Sequence, residues 1–317
     1  MRKTISVCIP VFNEEHNVVR AVAEVEALFA EQLRAYNLEL IITDNASTDR
    51  TWQIVGELAS TRPNLKAFRF SRNFGYQNSI FAGLSLTTGD AVVELDADLE
   101  DPPEVIARFV EKWQEGFQVV YGVRSKRYGS LIIRSLTHVF YRVLNRLSEQ
   151  KIPEDSGDFR LLDRRVVSTL VALPERNLYL RGLVGYLGFR QTPVVYERSP
   201  RTAGSSKFRF VQYIVLALDA ITAFTKAPLR LIGVFGAILF ILSSCLAAYY
   251  FVLNLLGGIP VQGFTTLAIL ALALHGVTFI FLGVMGEYMS RIFDDAKHRP
   301  RVVIAESINA KDHPSVL

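Results

Sequence analysis

The sequence predicts an α/β fold. A mostly parallel sheet comes first, then helices suited to a membrane interface, then two membrane-crossing helices. Three observations predict it. Apolar runs alternate with helical patterns through the first 125 residues, the signature of stacked βα units. A polar cluster closes each of the five apolar runs. From Leu231 to Gly286 there is no Asp, Glu, Lys or Arg, a stretch of 56 residues.

Taken in order, Ile5–Val11, Leu38–Thr43, Leu65–Phe70, Ala91–Leu95 and Phe117–Tyr121 read as strands. Glu15–Leu33, Arg50–Ala59, Gln77–Leu86 and Glu104–Glu115 read as the helices between them. Sheets of this kind bind ligands beyond the carboxyl ends of their strands. There the sequence sets Asn13 and Glu14, Asp44 and Asn45, Arg72 and Asn73, Asp96 and Asp98, and Arg124. Residues from about Tyr128 to Thr225 are less regular. Leu131 to Leu147 has helical spacing, with Arg134, His138, Arg142 and Arg146 interleaved, which suits an interfacial helix or packing on the sheet; Phe208–Phe224 offers a second such helix.

The charge-free stretch has room for two helices of about 20 apolar residues each, read near Leu231–Leu253 and Thr265–Tyr288, with Gly257, Gly258 and Pro260 in the break. A buried helical hairpin is the other reading. Lys226 and Arg230 precede the stretch, and Arg291, Lys297, Arg299 and Arg301 follow it, so both flanks are expected on the cytoplasmic side of a bacterial inner membrane, in a multi-pass arrangement. Gly233 and Ala237 supply small residues for helix packing, within one chain or in a homo-oligomer. Cys8 and Cys245 form no disulfide or zinc framework. The net charge of +4 gathers near the middle of the chain, and beside an apolar hairpin it suits anionic lipid or a substrate phosphate better than nucleic acid. The expected divisions are residues 1–127, 128–228, 229–290 and 291–317.

Asp96-Ala97-Asp98 sits where the fourth strand ends. Two carboxylates one residue apart at a sheet's lip suit a hard cation, Mg²⁺ or Mn²⁺, meeting phosphate oxygens. The plainer alternative is a solvated acidic turn leading into a helix near Pro103. Asp44 can accept hydrogen bonds from a base or ribose, and Asp49 suits the cap of the helix at Arg50.

The ordered set Pro10 to Glu15, Asp44 to Asp49 and Asp96 to Asp98, then Gly157 to Leu161, Arg198 with Gly204 to Lys207, and Gly286 to Arg299, resembles the polyprenyl-phosphate glycosyltransferases of glycosyltransferase family two. That group holds dolichyl-phosphate mannose synthase and the bactoprenol glucosyltransferases. The resemblance implies a GT-A fold over the first division and an enzyme moving a hexose from a nucleotide-sugar donor to a polyprenyl phosphate at the lipid bilayer. It puts Pro10, Phe12, Glu14 and Asp44 around the nucleoside. Asp98 would hold the ion with Asp96, directly or through water, and Glu100 is either a third ligand or a solvated side chain.

A lipid-phosphate acceptor accounts for the arginines. Arg124 and Arg134 can make two-pronged contacts to phosphate oxygens. Arg198, Arg201 and Lys207 flank a Gly- and Ser-rich stretch able to fold over the diphosphate. Asp158 is expected to orient the sugar or the acceptor, or to act as nominal base, with Arg160 balancing its charge; a purely structural pair is the alternative. The expected reaction is inverting transfer of glucose from UDP-glucose to undecaprenyl phosphate. GDP-mannose or a UDP-aminopentose remain open as donors, as does a catalytically silent, membrane-anchored subunit. A processive polysaccharide synthase is disfavoured, because Trp52 and Trp113 follow Thr51 and Lys112 and no Gln-x-x-Arg-Trp element is present.

Overall fold

The computed structural model describes residues 2–125, 156–174, 178–198, 227–256, 263–310 and 315. The first unit is an eight-stranded sheet with helices on both faces. Its elements are β1 (Thr4–Val11), α1 (Val18–Glu31), β2 (Asn37–Asp44), α2 (Thr51–Ser60), β3 (Leu65–Phe70), α3 (Tyr76–Leu86), β4 (Ala91–Glu94), α4 (Val105–Gln114) and β5 (Val119–Arg124). They continue with β6 (Ser156–Asp163), α5 (Arg164–Val171), α6 (Leu180–Tyr186), β7 (Gln191–Tyr196) and β8 (Ile304–Ile308).

Strand order is β7-β5-β6-β4-β1-β2-β3-β8. The chain steps outward from β1 through β2 to β3, then returns to place β4 on the other side of β1, with all three pairings parallel. The reversal leaves a crevice at the carboxyl ends of β1 and β4, the switch point at which such sheets take ligands. The expected mostly parallel sheet is corrected to a mixed one. β6 enters antiparallel between β4 and β5, and β8 runs antiparallel along β3.

The central strands are buried on both faces, so they read as continuous apolar runs. Ile5, Val7 and Ile9 of β1 meet α1, α2 and α4, while Cys8 faces Ile80, Phe81 and Leu84 of α3. Helix α1 buries Val18, Ala21, Val22, Val25, Leu28 and Phe29, the i, i+3, i+4, i+7 stripe that its sequence carries. On the opposite face α3 rides close to β1 because residue 83 is glycine. A Cβ there would stand 2.0 Å from Cys8 Sγ.

Helices α7 (Ala227–Leu255) and α8 (Phe264–Ala296) belong to the second unit, in which Phe235 meets Phe281 edge-on with ring centroids 5.8 Å apart. Two helices therefore occupy the charge-free stretch. However, among the described residues no helix is long and apolar enough to cross a membrane. Helix α8 runs on past the charge-free stretch through Glu287 and Asp295. The expected transmembrane hairpin, and the multi-pass inner-membrane placement built on it, are corrected accordingly. The interfacial helices expected at 131–147 and 208–224 lie outside the described residues.

Candidate active site

Three loops leave the carboxyl ends of β1, β2 and β4 and meet at the switch point. The β1 loop turns at Asn13, whose φ of 58° is left-handed, a conformation Asn tolerates better than most residues. Asn13 N donates to Ser47 Oγ at 3.0 Å, and Thr48 N donates back to Asn13 Oδ1 at 2.8 Å. Glu14 N donates to Thr51 Oγ1 at 2.9 Å and Glu15 N to Asp49 Oδ2 at 3.3 Å. Asp49 also accepts from Thr51 N at 2.9 Å, which satisfies a free amide in the first turn of α2 while holding the neighbouring loop. These bonds lock the first two loops side by side.

Asp44 closes β2 and is fully buried. It accepts from Ser47 N at 3.1 Å and from Ser47 Oγ, and Arg69 Nε stands 3.4 Å away. Burial pushes its carboxyl up, against the pull of Ser47 and Arg69. Beside it, Asn45 Nδ2 donates to Asn73 Oδ1 at 3.0 Å, and Phe74 N donates to Asn45 Oδ1 at 2.8 Å. The strand-end asparagines thus tie the β2 loop to the loop that follows β3.

Past β4 the chain turns through Leu99, another left-handed residue with φ 53°. Asp96 Oδ1 accepts from Tyr76 Oη at 2.6 Å, and Asp98 Oδ1 accepts from Glu100 N at 3.1 Å. A cleft of about 340 Å³ opens here, lined by Pro10, Phe12, Glu14, Asn45, Asn73, Tyr76, Asp96 and Asp98. Of the expected donor-site residues, Pro10, Phe12, Glu14, Asp96 and Asp98 therefore share one cavity, and Asp44 lies buried next in sequence to Asn45, which lines it.

Asp158 stands on β6. Asp158 and Asp96 line a common small void of about 10 Å³ together with Cys8 and Glu94. Arg181, from α6, donates to both Asp158 oxygens at 2.9 and 2.8 Å, and Arg160 Nη2 adds a bond at 3.1 Å. Burial opposes the Asp158 charge, but the bonds from Arg181 and the charges of Arg181, Arg160 and Arg124 hold its carboxyl below the usual range. Arg160 is shared, since its Nε lies 3.2 Å from buried Glu94. Burial pushes the Glu94 carboxyl up to about 8, with Arg160 opposing and Asp158 and Asp96 adding to the rise.

Two further arginines are held by the acids that follow Asp98. Arg124 Nη2 meets Asp101 Oδ2 at 3.1 Å, and Tyr196 Oη donates to Asp101 Oδ1 at 2.5 Å. Arg198 pairs with buried Glu100. Arg134, Arg201 and Lys207 lie outside the described residues. Sequence reasoning did not single out Tyr76, Asp101, Arg181 or Tyr196. Tyr76 and Asp101 stand next to polar strand ends and so carried a signal; Arg181 meets Asp158 only through the fold.

The donor set can be tested against a divalent ion. Burial, with Asp98, Asp158 and Asp101 nearby, pushes the Asp96 carboxyl up to about 7 despite the Tyr76 bond. A cation between Asp96 and Asp98 would relieve that crowding of negative charge, so these two residues fit one. Glu100, the third expected ligand, is turned onto Arg198. Among the described residues no group of three or more His, Cys, Asp or Glu side chains is arranged to hold a metal.

Residues 6–171 match the family model described as glycosyl transferase family 2. The chain is 40% identical over 301 residues to a bactoprenol glucosyl transferase of Shigella phage SfX, covering 95% of this chain and 98% of that one. It is 39% identical over 309 residues to an uncharacterized glycosyltransferase of Bacillus subtilis, covering 95% and 93%. Among solved structures, glucosyl-3-phosphoglycerate synthase of Mycobacterium tuberculosis in complex with uridine diphosphate aligns with a TM-score of 0.47 at 20% identity, over 69% of this chain and 78% of that one. The chain belongs to glycosyl transferase family 2, as a relative of the bactoprenol glucosyl transferases in the polyprenyl-phosphate branch that its motifs resemble.

Proposed function

We propose that this glycosyltransferase moves a glucosyl group from UDP-glucose to undecaprenyl phosphate with inversion. The observation that carries the reading is the cleft at the β1/β4 switch point. Asp96 and Asp98 stand on its rim, and Asp158 shares a void with Asp96. The similarity to bactoprenol glucosyl transferases over nearly the whole chain supports both the glucosyl donor and the polyprenyl acceptor.

In this reading the nucleoside lies against Pro10, Phe12, Glu14 and the Asp44 wall, and the diphosphate reaches toward Asp98. Asp96 and Asp98 would hold Mg²⁺ or Mn²⁺, which when bound would offset charge on the departing diphosphate. An acceptor phosphate oxygen attacks the anomeric carbon from the face opposite that diphosphate. The new sugar–oxygen bond forms as the sugar–diphosphate bond breaks, and the nucleoside diphosphate leaves with the electron pair. A phosphate monoester has a second pKa of about 6, so the nucleophile is largely ionised at neutral pH. No strong base is needed. Asp158, held as a carboxylate by Arg181 and Arg160, orients the sugar and does not take a proton. Arg124 and Arg134 serve the acceptor phosphate, and Arg198, Arg201 and Lys207 the diphosphate.

The test supplies purified protein with Mn²⁺ or Mg²⁺, undecaprenyl phosphate and radiolabelled UDP-glucose, GDP-mannose or a UDP-aminopentose. Label is expected in the lipid phase with UDP-glucose; transfer from another donor would correct the sugar, and none from any donor would sink the reading. Asp98→Ala is expected to abolish Mn²⁺-dependent UDP binding, whereas a silent subunit would bind no nucleotide in either form.

A further inference from the structure

Strand β8 joins the sheet at β3 with Glu306 directly opposite Arg69 in the register. The pair is also bonded through side chains. Arg69 Nη1 donates to Glu306 Oε1 at 3.2 Å, and Trp52 Nε1 donates to Glu306 Oε2 at 3.1 Å. The Arg69 guanidinium lies over the Trp52 ring, 5.9 Å from its centroid. Its other edge faces the donor site, with Nη2 donating to Ser47 O at 3.2 Å and Nε 3.4 Å from Asp44 Oδ2. One guanidinium therefore bridges the fully buried Asp44 and the surface carboxylate of Glu306.

We propose that Glu306 is a positioning residue for the nucleoside end of the donor site, acting through Arg69 on Asp44 and the Ser47 turn. The inference rests on the assignment of the nucleoside to Asp44. Three features carry it. Asp44 is buried and draws part of its compensation from Arg69, so the orientation of that guanidinium bears on a charged group directly behind Asn45 of the cleft lining. Arg69 is a long side chain with a third of its surface exposed, and without a second anchor it would sample rotamers that leave Asp44. Finally, β8 is itself pinned. Asn309, at a left-handed φ of 58°, donates to the carbonyls of Ala59 at 2.8 Å and Leu65 at 2.9 Å. The strand thus holds Glu306 at a fixed height against β3. A segment remote in sequence from every donor-site motif helps set how tightly the nucleoside is held.

The test is calorimetric binding of UDP and of uridine, with Mn²⁺, to the full chain and to Glu306→Ala, Glu306→Gln, Arg69→Ala and the Glu306→Ala/Arg69→Ala double variant. Glu306→Ala is expected to weaken UDP about three- to fivefold, as for an exposed ion pair. Arg69→Ala, which leaves Asp44 without its cation, is expected to weaken it about tenfold or more. The double variant should bind no worse than Arg69→Ala, since Glu306 acts through Arg69. Uridine should lose the same factor as UDP, and donor KM should rise while kcat at saturating donor stays unchanged. Glu306→Gln keeps the shape and the Trp52 bond, so it decides the matter if the alanine variant fails to fold. Unchanged UDP affinity in the folded Glu306 variants, or additive losses in the double variant, would overturn the inference while leaving the proposed function standing. Failure of the unaltered protein to bind UDP would overturn both.

Discussion

Arg181 grips Asp158 with two parallel hydrogen bonds, Nε to Oδ1 at 2.9 Å and Nη2 to Oδ2 at 2.8 Å, so that a residue of α6 fixes a carboxylate on β6. The fork geometry is a property of guanidinium that lysine cannot copy. Arg181→Lys is expected to lower kcat about tenfold, and Asp158→Asn about a hundredfold, through misplacement of the sugar. Asp158 has a carboxyl held below its usual range, so it stays ionised from pH 5 upward. The rate profile should therefore show no rising limb assignable to Asp158 between pH 5 and 9. Such a limb in the unaltered enzyme that disappears in Asp158→Asn would make it a base after all.

Tyr76 holds Asp96 from the side, its hydroxyl donating to Oδ1 at 2.6 Å. Partners of this kind orient a metal-binding carboxylate without touching the ion. Tyr76→Phe is expected to weaken Mn²⁺ binding in the presence of UDP about tenfold. Titration of free Mn²⁺ by electron paramagnetic resonance reads this directly, and an unchanged affinity would mean that Tyr76 only fills space.

The first five strands were legible because short apolar-rich runs end at polar clusters, and the helices between them because of stripes such as Val18 to Phe29. The polar strand ends were legible for the same reason, since they interrupt those runs. The strands after β5 were not. β7 carries Pro193, and β8 alternates Ile304 with Glu306 and Ser307 along an edge, so neither stands out from loop sequence. Of the site, the acidic pair and Asp158 could be found by motif. Their partners could not, because Arg181 reaches Asp158 across 23 residues and Glu306 reaches Arg69 across 237. The charge-free stretch correctly signalled two helices, but absence of charge alone does not establish a crossing, and among the described residues no helix is long and apolar enough for one.

Gly83 and Cys8 are matched for close approach. Because a Cβ at position 83 would fall 2.0 Å from Cys8 Sγ, Gly83→Ala is expected to destabilise the protein by about 1–3 kcal/mol despite its better helix propensity. Cys8→Ala removes the obstructing sulfur. The double variant should be more stable than Gly83→Ala alone, a coupling that denaturant midpoints would detect; strictly additive losses would place the strain elsewhere.

Glu39 gathers polar partners near the amino end of the sheet. It accepts from Lys66 Nζ at 2.8 Å, Thr88 N at 2.8 Å and Thr88 Oγ1 at 2.7 Å. Burial works against its charge, yet these bonds and that from Ser6 lower its carboxyl below the ordinary value. A carboxyl lowered on folding adds stability that is fully present above its unfolded value and is lost as pH falls through the folded one. Glu39→Gln is expected to cost about 1–3 kcal/mol at pH 7. The gap from the unaltered protein should close below about pH 4. Melting temperatures at pH 3.5 and 7 test this, and a gap independent of pH would trace the loss to packing.

The antiparallel pairing of β8 with β3 also sets an order of events during synthesis. As the chain leaves the ribosome, β3 emerges early and stays an open edge, with unpaired amides, until residues 304–308 follow much later. Open edges of this sort invite mispairing with other chains. A product cut short anywhere before Ile304 would keep that edge bare and would lack the Glu306 anchor on Arg69. Closure of this edge, and with it the second anchor of Arg69, therefore waits for β8, which follows β3 in the chain by more than two hundred residues.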